Sequence, residues 1–316
     1  MRVLVTGATG FVGGHLVSLL RRTHHEIYGT YLEQRKPFTA EAKLLYCDLR
    51  SPADTKAAVK QARPERIYHL AGRSSVQESF KDPRLVYETN FVGTLNLLKS
   101  VREHAPKARV LLVGSGQSYG AVPADHLPVK EAEPFRPQNP YAASKAAADI
   151  LGYQFFSSYG LYVIRTRPFN HTGPGQSAEY VCSNFARQFA AIGLGLQKPK
   201  IEVGDLAVQR DFSDVRDVVR AYQLMLESGT PGNAYNVGSG KLTSIRTIVH
   251  LLASFCPVET RISVMKERLR PGQTPKLYGS IRQLRNQTGW KPDYGLNDTL
   301  KDLYAYWIEQ LSSQIG

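Results

Sequence analysis

The chain has 316 residues, 42% hydrophobic and 21% charged, enough to bury a full core in one or two domains. No apolar run reaches the ~18 residues of a membrane span, and no signal peptide precedes Met1–Val5. Cys47, Cys182 and Cys256 are too few and too scattered for a disulfide framework or a zinc site, so a cytoplasmic protein with no metal and no membrane partner is expected.

The net charge of +13 is spread along the sequence, with no basic block and no basic–aromatic interleaving. That pattern argues against nucleic acid as the partner and suits a diphosphate ligand. The eight histidines do not pair at metal-ligand spacing, and His24-His25 reads as the polar end of a first helix.

Taken in order, Arg2–Thr6 reads as a buried strand. Gly7-Ala8-Thr9-Gly10-Phe11-Val12-Gly13 follows it, then Leu16, Val17, Leu19 and Leu20 at helical spacing. Strand, glycine turn, helix is the context of a dinucleotide site, where the turn and the helix N-terminus approach a pyrophosphate. Glu26–Tyr31 is a second strand; Glu33 beyond it would select NAD, whereas Arg35 or Lys36 would meet the 2′-phosphate of NADP. The reading leans to NADP and leaves NAD open.

Leu44–Leu49 is a third strand, ending at Asp48, and Ile67–Gly72 a fourth, with small Ala71 and Gly72 where a cofactor would pass. Helices are expected near 54–62 and 84–103, a fifth strand over Val110–Ser115 and a sixth over Tyr162–Arg165. The alternation predicts a Rossmann-type α/β fold, a doubly wound parallel sheet with ligands at the carboxyl ends of its strands.

Between the fifth and sixth strands lies Asn139-Pro140-Tyr141-Ala142-Ala143-Ser144-Lys145. Proline suits a first helical turn, the alanines favour helix, and Tyr141 and Lys145 fall on one face, one turn apart. An ammonium beside a phenol favours the phenolate, each pKa unit being worth ~1.4 kcal/mol, so the pair predicts a proton donor or acceptor for a hydroxyl/carbonyl couple. The plainer alternative is one surface tyrosine and one solvated lysine.

After Pro168 the pattern changes. Asn170–Gly175 is loop-forming, Arg210–Asp217 enters an apolar helix over Val218–Leu226, and Tyr235–Gly238 is a late strand returning to the main sheet. The tail from Ser244 carries two helical stretches and Arg270-Pro271-Gly272-Gln273. The expected division is a dinucleotide-binding unit of 1–169 plus about 211–238, and a smaller α/β substrate unit of 170–210 plus 239–316.

These pieces resemble the extended short-chain dehydrogenase/reductases that act on nucleotide sugars, the NAD-dependent epimerase/dehydratase family. The likeness rests on Thr6–Gly13, Asp48-Leu49, His69-Leu70-Ala71, Asn90, Ser115 with Tyr119-Gly120, Tyr141 with Lys145, and Arg210-Asp211-Phe212. Arg167-Pro168-Phe169-Asn170-His171-Thr172-Gly173-Pro174-Gly175-Gln176, Leu269-Arg270-Pro271 and Thr288–Pro292 are similar to the branch that holds GDP-mannose 4,6-dehydratase and GDP-4-keto-6-deoxy-D-mannose reductase.

The resemblance implies that Gly7, Gly10 and Gly13 meet the pyrophosphate and that Asp48 lies near adenine. Phe11, Val12, Tyr31, Arg35, Leu49, Leu70, Ala71, Gly72, Asn90 and Phe169 complete the implied cofactor surface. Tyr141 would be the acid/base, with Lys145 lowering its pKa and holding the nicotinamide ribose, and Ser115 would bind the sugar C4 oxygen. Ser75, Asn170, Asn184, Arg210 and Arg270 would hold a nucleotide-diphosphate sugar, arginines gripping phosphate through paired hydrogen bonds. The resemblance also implies a homodimer through helices near 84–103 and 141–158. His171 has no catalytic counterpart and reads as structural.

Three positions depart from the branch: Arg73 beside the cofactor channel, Gln273 where an acid often meets the nucleotide ribose, and Gln117 where the branch carries glutamate. Removing the C5 proton in 4,6-dehydration needs a carboxylate, and an amide cannot accept that proton. The expected activity is therefore NAD(P)H-dependent reduction of a nucleotide-linked 4-keto-6-deoxy sugar, of the GDP-4-keto-6-deoxy-D-mannose to GDP-D-rhamnose type. The alternatives are a 4-epimerase with tightly held NAD and a non-enzymatic dinucleotide sensor.

Overall fold

The computed structural model describes residues 1–23, 26–33, 42–265 and 275–314. The strands are β1 (Arg2–Thr6), β2 (Glu26–Tyr31), β3 (Lys43–Tyr46), β4 (Arg66–His69), β5 (Arg109–Val113), β6 (Val163–Pro168) and β7 (Asn170–Thr172). They continue with β8 (Lys200–Val203), β9 (Gln209–Arg210), β10 (Phe212–Asp214), β11 (Ala234–Val237), β12 (Thr243–Ser244), β13 (Arg261–Val264) and β14 (Lys276–Leu277). The helices are α1 (Phe11–Arg21), α2 (Pro52–Ala62), α3 (Val76–Lys81), α4 (Pro83–Tyr87), α5 (Gly93–His104) and α6 (Pro140–Tyr159). The later ones are α7 (Val181–Gly193), α8 (Val215–Ser228), α9 (Ile245–Phe255), α10 (Arg282–Thr288) and α11 (Leu296–Ser312).

Seven strands form one parallel sheet in the order β11-β6-β5-β4-β1-β2-β3, so the chain reverses direction across the sheet between β1 and β4. Both faces are buried at the centre of the sheet, which is why β1 and β5 read as apolar runs, whereas the edge strand β3 is mostly exposed. Val3, Val5, Tyr68 and Leu111 point to one face and pack with Leu16 and Leu20 of α1 and Val218, Tyr222 and Met225 of α8. Leu4, Ile67, Val110 and Leu112 point to the other and meet Val59 of α2, Leu97 and Val101 of α5 and Phe155 of α6. A further core joins Phe185 and Phe189 of α7, Ile201 and Val203 of β8, Ile248 and Leu252 of α9 and Leu300 and Leu303 of α11.

Local chemistry sets the ends. Ser51 caps α2 ahead of Pro52, and Asn139 caps α6 ahead of Pro140 by accepting from the Ala142 N–H at 2.8 Å. Gly160 ends α6 in the left-handed region at φ +67°.

Several elements differ from expectation. The third, fourth and fifth strands stop short, at Tyr46, His69 and Val113, because the chain turns there to place side chains at the sheet edge. The single helix expected over 84–103 is α4, a π turn over Glu88–Val92 and then α5. Asn170–Thr172, read as loop, pairs in parallel with Phe212–Asp214. Among the described residues the tail from Ser244 forms three helices, and Leu284 and Trp290 pack into the core with β1 and α8.

Candidate active site

The carboxyl ends of β1 and β4 are stitched together. The Ala71 N–H donates to Thr6 Oγ1 at 3.2 Å, and the Thr6 hydroxyl meets His69 Nδ1 at 2.8 Å. On the other side of the ring, His69 Nε2 lies 2.9 Å from Thr94 Oγ1, whose hydrogen goes to the Asn90 carbonyl. Thr94 therefore accepts from Nε2–H, which leaves Nδ1 to accept from Thr6. Burial drives His69 down to about 3, so the ring is a neutral strut.

Against this strut the glycine turn is tightly fitted. Gly7 has φ +71°, and a Cβ there would lie 2.9 Å from the Ala71 Cα. A Cβ at Gly13 would lie 2.2 Å from the Gly7 carbonyl, so the third glycine lets α1 seat on the turn. At Gly10 the helix starts with no side-chain cap, leaving its first N–H groups for an anion. These features fit a dinucleotide pyrophosphate. Phe11 stacks on His171 at 6.3 Å, and His15 Nε2 bonds the Pro174 carbonyl at 2.8 Å, which fastens the 170–175 loop over α1. His171 is half-buried, bonded to the Phe169 carbonyl at 3.0 Å, and desolvation lowers its pKa.

At the end of β2, Tyr31 packs edge-on against Tyr46 at 6.0 Å. The Asp48 carboxylate is gripped by Arg50 at 2.6 to 3.1 Å, and that guanidinium holds it below the usual carboxylate range. Leu49 sits in a buried contact with Gly93. Arg35 and Lys36 lie outside the described residues, as do His24-His25, Arg270 and Gln273.

Ser115, Tyr141 and Lys145 come together at the ends of β5 and α6, only 5%, 9% and 8% exposed. Ser115 Oγ accepts from the Gln117 N–H at 3.1 Å, which leaves its hydrogen to bond Tyr141. Lys145 Nζ donates to the Val113 carbonyl at 2.8 Å. Burial pushes the Tyr141 phenol up to about 12, with the Ser115 hydrogen bond pulling the other way, and pulls Lys145 down to about 8. The expected acidified phenol is thus corrected. The ammonium is spent on a carbonyl and desolvation outweighs it, so near neutral pH the site holds a protonated phenol beside a protonated amine.

Asn90 ties the pieces together from the π turn. Its Oδ1 accepts from the Arg73 N–H at 2.8 Å, and its Nδ2 donates to the Arg73 carbonyl at 3.0 Å and to Ser144 Oγ at 2.9 Å. Ser144 in turn donates to the Tyr141 carbonyl at 2.8 Å. A side chain at Gly72 would reach 2.7 Å from Asn90 Oδ1 and 3.4 Å from Lys145 Nζ, so that position must stay bare. The Arg73 side chain turns to Glu78 at 3.7 Å, a surface pair.

Behind Ser115 lies a buried polar network that sequence reading missed. Asp149 accepts from Arg165 at 2.6 Å and from Arg167 at 2.9 and 3.0 Å. Arg167 also donates to the Tyr119 hydroxyl, which donates to Asn236 at 2.8 Å. The signal was present: 141, 145 and 149 form one helical stripe.

Other expected residues are placed differently. Phe169 packs its ring with Tyr119, Val129 and Leu277, pressed on Gly116 and Gly279, and its backbone groups are bonded to Val237 and His171. Ser75 caps α3 by accepting from Glu78 N–H at 3.2 Å, whereas its neighbour Ser74, missed from sequence, reaches the Tyr180 hydroxyl at 2.6 Å. Asn184 is committed to the Ala178 carbonyl and to Gln188, shaping the turn into α7. Asn170 is half-buried on β7.

Arg210 donates to the Gln209 carbonyl at 2.8 Å, and burial pulls it down to about 10. Among the described residues this half-buried guanidinium is bonded to the Gln209 and Pro275 carbonyls, which suits an anion. Beside it, buried Asp211 accepts from Ser239 and Gly240, and burial raises it to about 6. Among the described residues no cluster suits a metal ion, and no helix is long and apolar enough to cross a membrane.

The model of the GDP-mannose 4,6 dehydratase family matches residues 4–303. The chain is 38% identical over 313 residues to the GDP-6-deoxy-D-mannose reductase of Pseudomonas aeruginosa, covering 99% of each. It superimposes on the structure of RMD from Pseudomonas aeruginosa complexed with NADPH with a TM-score of 0.87 at 36% identity, covering 98% of this chain and 100% of that one. The UDP-glucose 4-epimerase of Thermus thermophilus in complex with NAD gives a TM-score of 0.87 at 29% identity, covering 97% and 99%. With the Rossmann-type sheet, the glycine turn and the Ser115, Tyr141 and Lys145 cluster in place, the chain belongs to the GDP-mannose 4,6 dehydratase family of extended short-chain dehydrogenase/reductases.

Proposed function

We propose that the protein is an NAD(P)H-dependent reductase of a GDP-linked 4-keto-6-deoxy hexose, of the kind that forms GDP-D-rhamnose from GDP-4-keto-6-deoxy-D-mannose. The observation that carries this reading is a phenol held protonated beside Ser115, with glutamine rather than glutamate at position 117. A reductase needs a proton donor at C4, and a phenol near 12 can protonate a nascent alkoxide. Ser115 would donate to the same oxygen, and the Lys145 ammonium would add positive charge as the alkoxide develops. The nicotinamide, when bound, supplies the hydride. The reductase relative and the NADPH complex of its kin support this choice of reaction and a preference for NADP over NAD.

Gly7, Gly10 and Gly13 would take the pyrophosphate, with Leu70, Ala71 and Asn90 along the crevice and Arg210 on the sugar-nucleotide diphosphate. In this reading 1–169 and about 211–238 bind the dinucleotide, while 170–210 and most of 239–316 hold the sugar nucleotide. We place it in the cytoplasm and assign it a homodimer, supported by exposed Tyr87, Val92, Ile150 and Tyr153 on the α4 and α6 side. Leu97, Leu98 and Val101 are buried within one chain and take no part.

The test is to follow nicotinamide absorbance on mixing NADPH or NADH with GDP-4-keto-6-deoxy-mannose. Steady oxidation with formation of GDP-6-deoxy-hexose is expected, and no oxidation with either cofactor removes the proposal. The same three residues would serve a 4-epimerase, which the Thermus epimerase match favours only in fold and chemistry. That reading predicts NAD surviving purification and no net oxidation of added NADPH.

A further inference from the structure

A hydrogen-bonded path runs from the Tyr141 backbone to the opposite wall of the cleft. Ser144 joins the Tyr141 carbonyl to Asn90, and Asn90 clamps both backbone groups of Arg73. The next residue, Ser74, meets the Tyr180 hydroxyl at 2.6 Å, and Tyr180 stands at the N-terminus of α7. The phenol of Tyr180 is thus tied to the Tyr141 backbone through four residues, Ser144, Asn90, Arg73 and Ser74, of which Ser74 is exposed. The two rings are near enough for Tyr180 to raise the Tyr141 pKa, and Tyr180 is itself partly buried and raised.

Two hydroxyls have two hydrogens, and their mutual bond uses one. The other is left to donate elsewhere, with Glu179 and Glu78 as the charged groups felt by Tyr180 and Arg73 paired to Glu78. A neutral, preoriented donor–acceptor pair of this kind can both donate to and accept from a hydroxyl on a sugar ring, and it carries no positive charge to favour a phosphate.

We propose that Tyr180, oriented by Ser74, is a specificity-determining residue that binds a ring hydroxyl of the hexose near the carbon served by Tyr141. This deepens the reductase reading and rests on it for the identity of the reacting carbon. Tyr180 contacts the substrate, and Ser74 is a positioning residue.

The test is calorimetry on the whole protein with NADPH present, comparing GDP with GDP-mannose as a stable hexose-bearing probe. The wild type is expected to bind GDP-mannose more tightly than GDP. Tyr180→Phe should cut that hexose increment about fivefold, as loss of one neutral hydrogen bond does, and leave GDP affinity unchanged. Ser74→Ala should give a smaller loss of the same increment. In turnover of the 4-keto-6-deoxy substrate, Tyr180→Phe should raise KM while kcat changes less than twofold.

An unchanged hexose increment in Tyr180→Phe overturns the proposal, as does a wild type with no increment at all. Equal loss of GDP and GDP-mannose affinity also overturns it, since that marks damage to the α7 terminus. A wild type that oxidises no NADPH sinks the reductase reading alone, because the increment is read without turnover.

Discussion

At the scale of single residues the chemistry turns on which protons are present. Tyr141→Phe removes the donor but keeps the ring, so kcat should fall by about 10²–10⁴ while NADPH affinity, measured by calorimetry, stays the same. The pH profile follows from the Lys145 amine, lowered to about 8, and the phenol, raised to about 12. Below about 8 both are protonated and reduction should hold level; above it the ammonium is lost and kcat should decline. A decline beginning on the acid side, at pH 6 to 7, would contradict the assignment. Gln117 gives a third expectation: with NADP and GDP-mannose, mass spectrometry should detect no product lighter by one water, because no carboxylate stands ready for the C5 proton. Tyr141, Lys145 and Ser115 were legible because each lies at a fixed offset from a helix start or strand end. The direction of the phenol's shift was not, because it depends on how deeply the pair is buried and on Val113 taking the ammonium.

At the scale of elements, the main sheet was legible because its central strands are covered on both faces and β1 and β5 read as apolar runs. The short pairings beyond Pro168 were not. β9 and β14 are two residues each and pair across a separation of 67 positions, from Gln209 opposite Lys276, which leaves no local period to read. The π turn at Glu88–Val92 was equally hidden, since its sequence is ordinary helix. Its product is the inward Asn90 that clamps Arg73, and π turns concentrate at functional sites for this reason. Asn90→Ala leaves the Arg73 backbone N–H without its partner and should destabilise the fold by about 1–3 kcal/mol, read as a lowered denaturation midpoint. KM for the sugar nucleotide should rise with it, because the Arg73–Ser74 segment loses its anchor.

At the scale of the whole molecule, the outer surface of α4 and α6 carries Tyr87, Val92, Ile150 and Tyr153 at 38–59% exposure. Ile150→Glu should therefore shift the particle to monomer mass in light scattering if that face closes the dimer; unchanged mass would place the interface elsewhere. The net charge of +13 also has two parts with different fates. Most of it is solvated and draws anions from a distance, an influence that fades beyond ~8 Å at physiological salt. Some of it is interior: Arg165, Arg167 and Lys145 sit beneath the crevice with Asp149 and Glu131. That is three cations against two acids, and dissolved ions cannot reach the surplus. Titrating sodium chloride against NADPH affinity should thus give a fall that levels off, the plateau being the share of attraction that the protein keeps inside itself.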